Sequence, residues 1–272
     1  MTPFLRPSNV LLPLAVATLL VGCATQPPRA VAPDAMASIK RLGVVSVVAD
    51  RLARSYTGLT VFGNEYDDID IASWQLDEQY EEQLGTALAD KRSITYVKAV
   101  PPRDRFAPAN KLERAFASHN QDWEAVAPAV LDYCRANSLD AVMVLTKGET
   151  PQQMASSTSQ QMMGLGVYAR SAPPVPWNTN SSIVYMVGKL GLVDCKSGKA
   201  LAERRVVIDD SDMSAFLDHL STLPIRPIST EISRTPSGSW SEATRAQLRA
   251  ELLTLPKPAW PTTINALFAA KP

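Results

Sequence analysis

The residues able to do chemistry are few and poorly spaced for it. Only two histidines occur, His119 and His219. His219 follows Asp218 and lies close in sequence to Ser211, Ser214 and Ser221, which could be imagined as base, orienting carboxylate and nucleophile of a hydrolase acting on envelope material. No G-x-S-x-G turn supplies a nucleophile elbow, and a solvated helix residue is the plainer reading of His219. Neither H-E-x-x-H nor C-x-x-C can be written, so no protein zinc site is expected. Gly164-Leu165-Gly166-Val167-Tyr168-Ala169 formally fits G-x-G-x-x-A. Polar sequence precedes it and Arg-Ser-Ala-Pro-Pro follows, where a dinucleotide site needs a strand and then a helix. Glu65, Asp67, Asp68 and Asp70 lack the alternating ligands and glycine of a calcium loop. They are expected to precede a helix whose positive amino end favours acidic neighbours. Met154, Met162 and Met163 could attract a soft metal, but no His or Cys lies near them. Methionine is also an adaptable contact residue, so these three, with Tyr168 and Trp177, are the candidates for touching a partner. No catalytic residue, metal or cofactor is implied.

Cys23 is of another kind. Arg6 supplies a positive charge, Val10 to Val21 is apolar, and Gly22 is a small residue suited to cleavage, the layout of a signal peptide over residues 1–22. The apolar run falls short of the roughly 20 residues that cross a bilayer, and Pro13 and Thr18 weaken it further. Leu20-Val21-Gly22-Cys23 resembles the lipobox of bacterial lipoprotein precursors. That resemblance implies a diacylglyceryl group on the Cys23 sulfur and cleavage that leaves Cys23 as the first mature residue. Two or more acyl chains make anchoring stable where one is marginal. In that family an Asp just after the cysteine favours the inner membrane; Ala24 and Thr25 stand here, so the resemblance implies the outer membrane, facing the periplasm. Residues 23–37, with Pro27, Pro28 and Pro33, have little to bury and are expected to form an extended tether.

Cys134 and Cys195 remain. In an oxidising compartment an even pair invites a disulfide, but the spacing says nothing about whether their Cα atoms approach. The preferred reading makes each a small buried hydrophobe.

The chain carries 27 Lys+Arg against 27 Asp+Glu, and of these only Arg6 lies in residues 1–22, so the mature chain is one unit negative. No basic stretch is interleaved with aromatics, which argues against nucleic acid. With 12 glycines and 21 prolines, glycine-cradled phosphate sites are not expected. Hydrophobic residues at 46% suffice for a real core.

The elements that would position these residues read as α/β. Ile39 to Val48 and Leu139 to Leu145 are nearly continuous apolar runs, the pattern of strands covered on both faces. Leu59 to Phe62, Ile94 to Val100 and Gly164 to Arg170 are shorter strand candidates. Ala72 to Asp90 repeats Leu76, Tyr80, Leu84, Ala87 and Leu88 at helical spacing. Phe106 to Asn137 is mainly helical, with Pro128 either in a first turn or at a kink. Residues 149–178 form a long insertion, a feature normally functional or disordered. Ser182 to Asp194 and Lys199 to Ile208 form a hairpin with Gly198 at the position needing positive φ. Asp212 is expected to cap a short helix, and Ser239 with Glu242 to form a capping box for a helix running to Pro256. An extended proline-rich tail then packs against the rest. The fold class is thus a mixed sheet with packed helices and a C-terminal β-hairpin over residues 38–210, plus a helical extension over 211–272.

Strand, helix, strand, helix, strand and then GLVDCKSGKAL at residues 191–201 is similar to a group of envelope lipoprotein domains. These are the curli-secretion lipoproteins, the lipoproteins that activate penicillin-binding proteins, and the amino-terminal domain of the Tol-system propeller protein. LGVVSVV matches their opening strand and LDAVMVL the strand after their second helix. The resemblance implies a non-enzymatic module that binds another envelope protein or assembles with itself. A secretion-type ring would need membrane strands, and residues 149–163 are too polar to alternate as those do.

Overall fold

The computed structural model describes residues 30–58, 61–89, 93–110, 121–150, 162–170, 182–209 and 222–269. The signal segment, Cys23, Met154, Trp177, Ser211, Ser214, Asp218, His219 and Ser221 lie outside the described residues, as does the helix expected after Asp212.

The two continuous apolar runs become β1 (Arg41–Ser46) and β5 (Ala141–Lys147), paired in parallel with Val44 beside Met143. Their side chains alternate between two cores. Val44, Met143 and Leu145 join the larger cluster, whereas Val45, Val142 and Val144 join a second one. The larger cluster takes the apolar stripe of α2 (Leu76–Ala89): Leu76, Tyr80, Leu84 and Leu88 recur every four residues and are fully buried, while Asp77 and Glu78 occupy the first turn, where the helix dipole favours them. The second takes α4 (Trp123–Asn137), whose Asp122 cap accepts from the Ala125 N–H at 2.9 Å and whose Trp123, Val126, Val130 and Tyr133 face the sheet. Pro128 sits inside α4, so the carbonyl four residues earlier loses its helical donor there. The helices therefore cover opposite faces. The run expected from Ile94 yields only β4 (Thr95–Tyr96), parallel to β1 on the side away from β5, before Pro101 and Pro102 lead into α3 (Arg103–Phe106).

The spine of the sheet is β7 (Ser182–Asp194). Its second half pairs with β5 and with β8 (Ala200–Arg205); its first half pairs with β6 (Gly164–Arg170) and β9 (Ile225–Pro227). Next to β6, in parallel, runs β2 (Arg51–Thr57), and beyond it, antiparallel, β3 (Glu65–Asp70). The sheet thus has two tiers, β4-β1-β5-β7-β8 and β3-β2-β6-β7-β9, joined end to end along β7. Gly191 in β7 has no side chain because the Trp123 ring lies against it: a Cβ there would sit 2.3 Å from the indole. Gly198 turns the β7–β8 hairpin at φ +68.

Several expectations are corrected. Of the stretch expected as a tether to residue 37, the described part is folded: Val31 is 2% exposed and donates its N–H to Leu267 O at 3.0 Å, and Pro33–Ser38 is a short helix, α1, with proline in its first turn where no N–H is needed. The 149–178 insertion contributes β6 to the middle of the sheet, so it is not wholly an appendage. Val61–Gly63 is a 3-10 turn rather than part of a strand. The expected acidic lead into a helix is instead strand β3, held by cross-strand cations. The cap of α6 (Glu242–Thr254) is Ser241, accepting from Thr244 N–H at 3.1 Å, and Ser239 ends a preceding 3-10 turn. The proline-rich tail is helical, α7 (Ala259–Phe268), because Pro258 and Pro261 fall at the cap and in the first turn. The terminal helices share the main core through Leu248, Leu252, Trp260, Ile264 and Leu267.

Candidate functional site

A group of charged side chains around the buried Glu81 lies where β1 ends. From β1 the chain returns to β4 on one side and then crosses to β5 on the other, with α2 and α4 on opposite faces. In open α/β sheets such a reversal leaves a crevice at the carboxyl ends of the strands, the place where ligands bind. Ser46, the last residue of β1, donates its Oγ hydrogen to Asp77 Oδ1 at 2.5 Å, and its N–H to Glu81 Oε1 at 2.9 Å. The same Asp77 oxygen accepts the N–H groups of Val48 and Ala49 at 3.1 and 3.2 Å. Asp77 and Glu81 are four residues apart on α2 and so share one helical face. Arg103, opening α3, bridges Glu81 Oε2 at 2.6 Å and Glu78 Oε1 at 2.8 Å, and its Nε is buried with no partner.

The opposite wall is closed by an amide. Asn110 donates to Val47 O and accepts from Lys147 N–H at 2.8 Å. Lys147 Nζ reaches Asp50 Oδ1 at 2.6 Å, and Gln121 donates to Lys147 O at 2.7 Å. Gln121 also accepts from Lys189 Nζ at 2.8 Å, and Glu203 lies between that ammonium, at 3.0 Å, and Trp123 Nε1, at 2.9 Å.

Burial raises the Asp77 carboxyl above its ordinary range, against the pull of the Ser46 hydroxyl, the Arg103 charge and the two loop amides. Burial also pushes Glu81 up to about 7, opposed by the Ser46 N–H and by Arg103. Tyr96 and Tyr133 are pushed up to about 12 by burial and by the nearby Glu81 charge. This arrangement can hold a proton at Glu81 near neutral pH. It is poorly arranged for activating Ser46, because the Asp77 oxygen that would take the proton is shared with the N–H groups of Val48 and Ala49, which lower its basicity. Where a bound anion would meet the loop amides of Val48 and Ala49, the chain has placed its own carboxylate.

A second charged group ties the far tier. Arg54 in β2 is fully buried and donates Nη1 to Asp67 at 3.1 Å, Nη2 to Glu65 at 2.9 Å, Nε to Ser233 O at 3.0 Å and Nη2 to Arg234 O at 2.8 Å. The two carbonyls close α5 (Thr230–Arg234), a helix end that welcomes a cation. Asp67 is raised by burial but lowered more by the Ser237 N–H, the Ser237 hydroxyl and Arg54, for a net fall.

The residues singled out from the sequence are scattered by comparison. Cys134 at the end of α4 and Cys195 after β7 are joined in a disulfide with Cα atoms 5.6 Å apart, in place of two separate thiols. Met162 and Tyr168 are partly buried against Tyr185, Val187 and Leu223, and Met163 is 38% exposed beside its bridge to Glu149. Gly164 to Ala169 lie within β6, so the glycine pattern there belongs to a strand. Ser46, Asp77, Glu81, Arg103 and Arg54 carry no motif in the sequence; the one signal for the first group is the pair of acids at i and i+4 in the first half of α2, on the face that carries Tyr80 and Leu84 inward. Phe62, at the β2–β3 turn, is 96% exposed and Tyr66 57% exposed. Among the described residues no group of three or more His, Cys, Asp or Glu could hold a metal ion, and no helix is long and apolar enough to cross a membrane.

The architecture is a mixed α/β sheet packed by helices, with a C-terminal helical extension. No protein-family profile matches the chain, and no curated protein does. Among solved structures it is similar to the PelC dodecamer from Paraburkholderia phytofirmans at 11% identity and a TM-score of 0.32, covering 91% of this chain and 96% of that one. A Xanthomonas campestris protein of family DUF330 is similar at 10% identity and a TM-score of 0.31, over 88% and 93% of the two chains. Superposition this loose transfers neither function nor assembly.

Proposed function

We propose that the chain is a bacterial lipoprotein, anchored through Cys23 to the outer membrane and facing the periplasm, which binds or scaffolds another component of the cell envelope and catalyses nothing. The observation that carries the reading is Asp77, whose carboxylate lies at the end of β1 with one oxygen engaged by the chain's own two loop amides and the Ser46 hydroxyl. Chemistry placed there holds the fold together. Leu20-Val21-Gly22-Cys23 supports the anchor, and the Cys134–Cys195 disulfide supports an oxidising compartment. Phe62 and Tyr66 offer apolar contact surface at one end of the sheet, and Tyr and Phe are enriched where proteins meet.

A photo-crosslinking residue at Phe62 in intact cells, followed by mass spectrometry, tests the binding role. The reading expects one envelope component, or a second copy of the chain, to be captured reproducibly. Recovery of neither would overturn it.

A further inference from the structure

The anchor and the fold together fix which end of the molecule faces the membrane. Val31 is held to α7: its N–H donates to Leu267 O, one of the last carbonyls of that helix, which the helix itself leaves without a donor. Leu267 is fully buried, and α7 is itself held, by Trp260 Nε1 on Gln83 at 2.9 Å and by the Thr263 hydroxyl accepting from Val207 N–H at 3.1 Å. The chain is therefore held to the folded body at Val31 and not first at residue 38. Even fully extended, residues 23 to 31 span at most roughly 29 Å at about 3.6 Å per residue. A compact domain of this size is roughly 45 Å across, so the body cannot turn its α1 side freely away from the surface that holds Cys23.

The sheet then sets what lies at the other end. α1 leads into the first residue of β1, and Leu42 lies beside Ala141, which pairs with Asp194 at one end of β7. Tyr56, near the end of β2, lies beside Ala169, which pairs with Ser182 at the other end. Those two levels are separated by the length of β7, roughly 40 Å at about 3.4 Å per residue. Beyond Tyr56 the chain turns through Phe62, its most exposed large apolar residue among those described.

We infer that the surface of α1 is the bilayer-facing side of the protein, and that the β2–β3 turn carrying Phe62 is the end presented away from the membrane. The inference rests on lipidation of Cys23. Its membrane contact is a headgroup surface and not the bilayer interior: Ala32, Pro33, Asp34, Ala37 and Ser38 are exposed and offer small or polar groups with nothing to insert. Phe62 is thereby kept free for a partner and out of the bilayer to which an exposed phenyl ring would otherwise be drawn.

The test uses the full acylated protein in vesicles of phosphatidylethanolamine and phosphatidylglycerol carrying a headgroup-labelled acceptor lipid. A donor dye is attached at Ser38→Cys or at Phe62→Cys. Flotation of the vesicles first reports whether the protein is anchored; failure to float overturns the lipid reading itself. If it floats, transfer from position 38 is expected to be severalfold stronger than from position 62, and equal or reversed transfer overturns the orientation alone. Val31→Pro, which removes the donated N–H and lengthens the free tether, is expected to shrink the contrast while flotation and far-ultraviolet dichroism stay unchanged. A contrast unchanged in that variant overturns the role given to the Val31–Leu267 contact.

Discussion

Glu81 is a carboxyl set among groups that disagree about its charge: burial favours the protonated acid, Arg103 and the Ser46 N–H favour the carboxylate. Its folded value of about 7 lies above the ordinary 4.5, so the folded state holds the proton more tightly than the unfolded chain. The stability this contributes is complete below about pH 4.5 and is lost as pH rises through about 7. The raised Asp77 acts with the same sign. Urea midpoints measured at pH 5 and pH 8 should therefore fall with pH in the parent, and Glu81→Gln should flatten that slope; an unchanged slope would remove Glu81 as its source. Arg54 is the opposite case, a buried cation whose donors are met by two acids and two carbonyls. Arg54→Ala should cost about 3 kcal/mol in urea unfolding, the lower end of the range for a broken buried pair because Glu65 and Asp67 still reach water. Neither residue was legible as special in the sequence. Arg54 stands in a strand that lacks the apolar alternation by which strands are recognised, and Glu81 looks like any charge on an amphipathic helix until Ser46 is known to sit beneath it.

At the scale of elements, sequence reading succeeded where a residue's neighbours in space are also near it in the chain, or where burial on both faces leaves no alternative. β1, β5, β7 and the Gly198 hairpin are of this kind, and so is α2. It failed where pairing is distant. RLARSYT reads as polar, yet it forms β2 because β3 supplies acids opposite Arg51 and Arg54 and β6 supplies a partner more than 100 residues away. The number of prolines in the tail points to extended chain, but their placement decides: Pro258 and Pro261 occupy a cap and a first turn, positions that proline suits. The disulfide joins α4 to the β7–β8 hairpin across a separation of 61 residues. Removing it by Cys134→Ser with Cys195→Ser should cost about 4 kcal/mol on the chain-entropy account for a loop of that length. Chemical denaturation of the double variant against the oxidised parent measures this, and a loss below about 1 kcal/mol would show that α4 is held by its packing alone.

At the scale of the molecule, the C-terminal helices belong to the same core as the sheet: Tyr80 donates to Leu252 O at 3.0 Å and stacks edge-on against Trp260 at 6.1 Å. A chain truncated before Ser241 should consequently lose its cooperative thermal transition by circular dichroism, whereas an independent extension would leave it intact. The two tiers joined along β7 give the body a long axis, with the point of chain entry near one side and an exposed aromatic turn at the far end. That shape suits a module tied to one surface and reaching toward something else. All of it depends on Cys23. The most direct measurement is the intact mass of the amino-terminal peptide of the mature protein extracted from a bacterial envelope. A peptide beginning at Cys23 and carrying acyl chains, lost in Cys23→Ala together with membrane association, is the expected result. A mature chain that begins elsewhere, or an unmodified Cys23 on a protein released without detergent, would contradict the account.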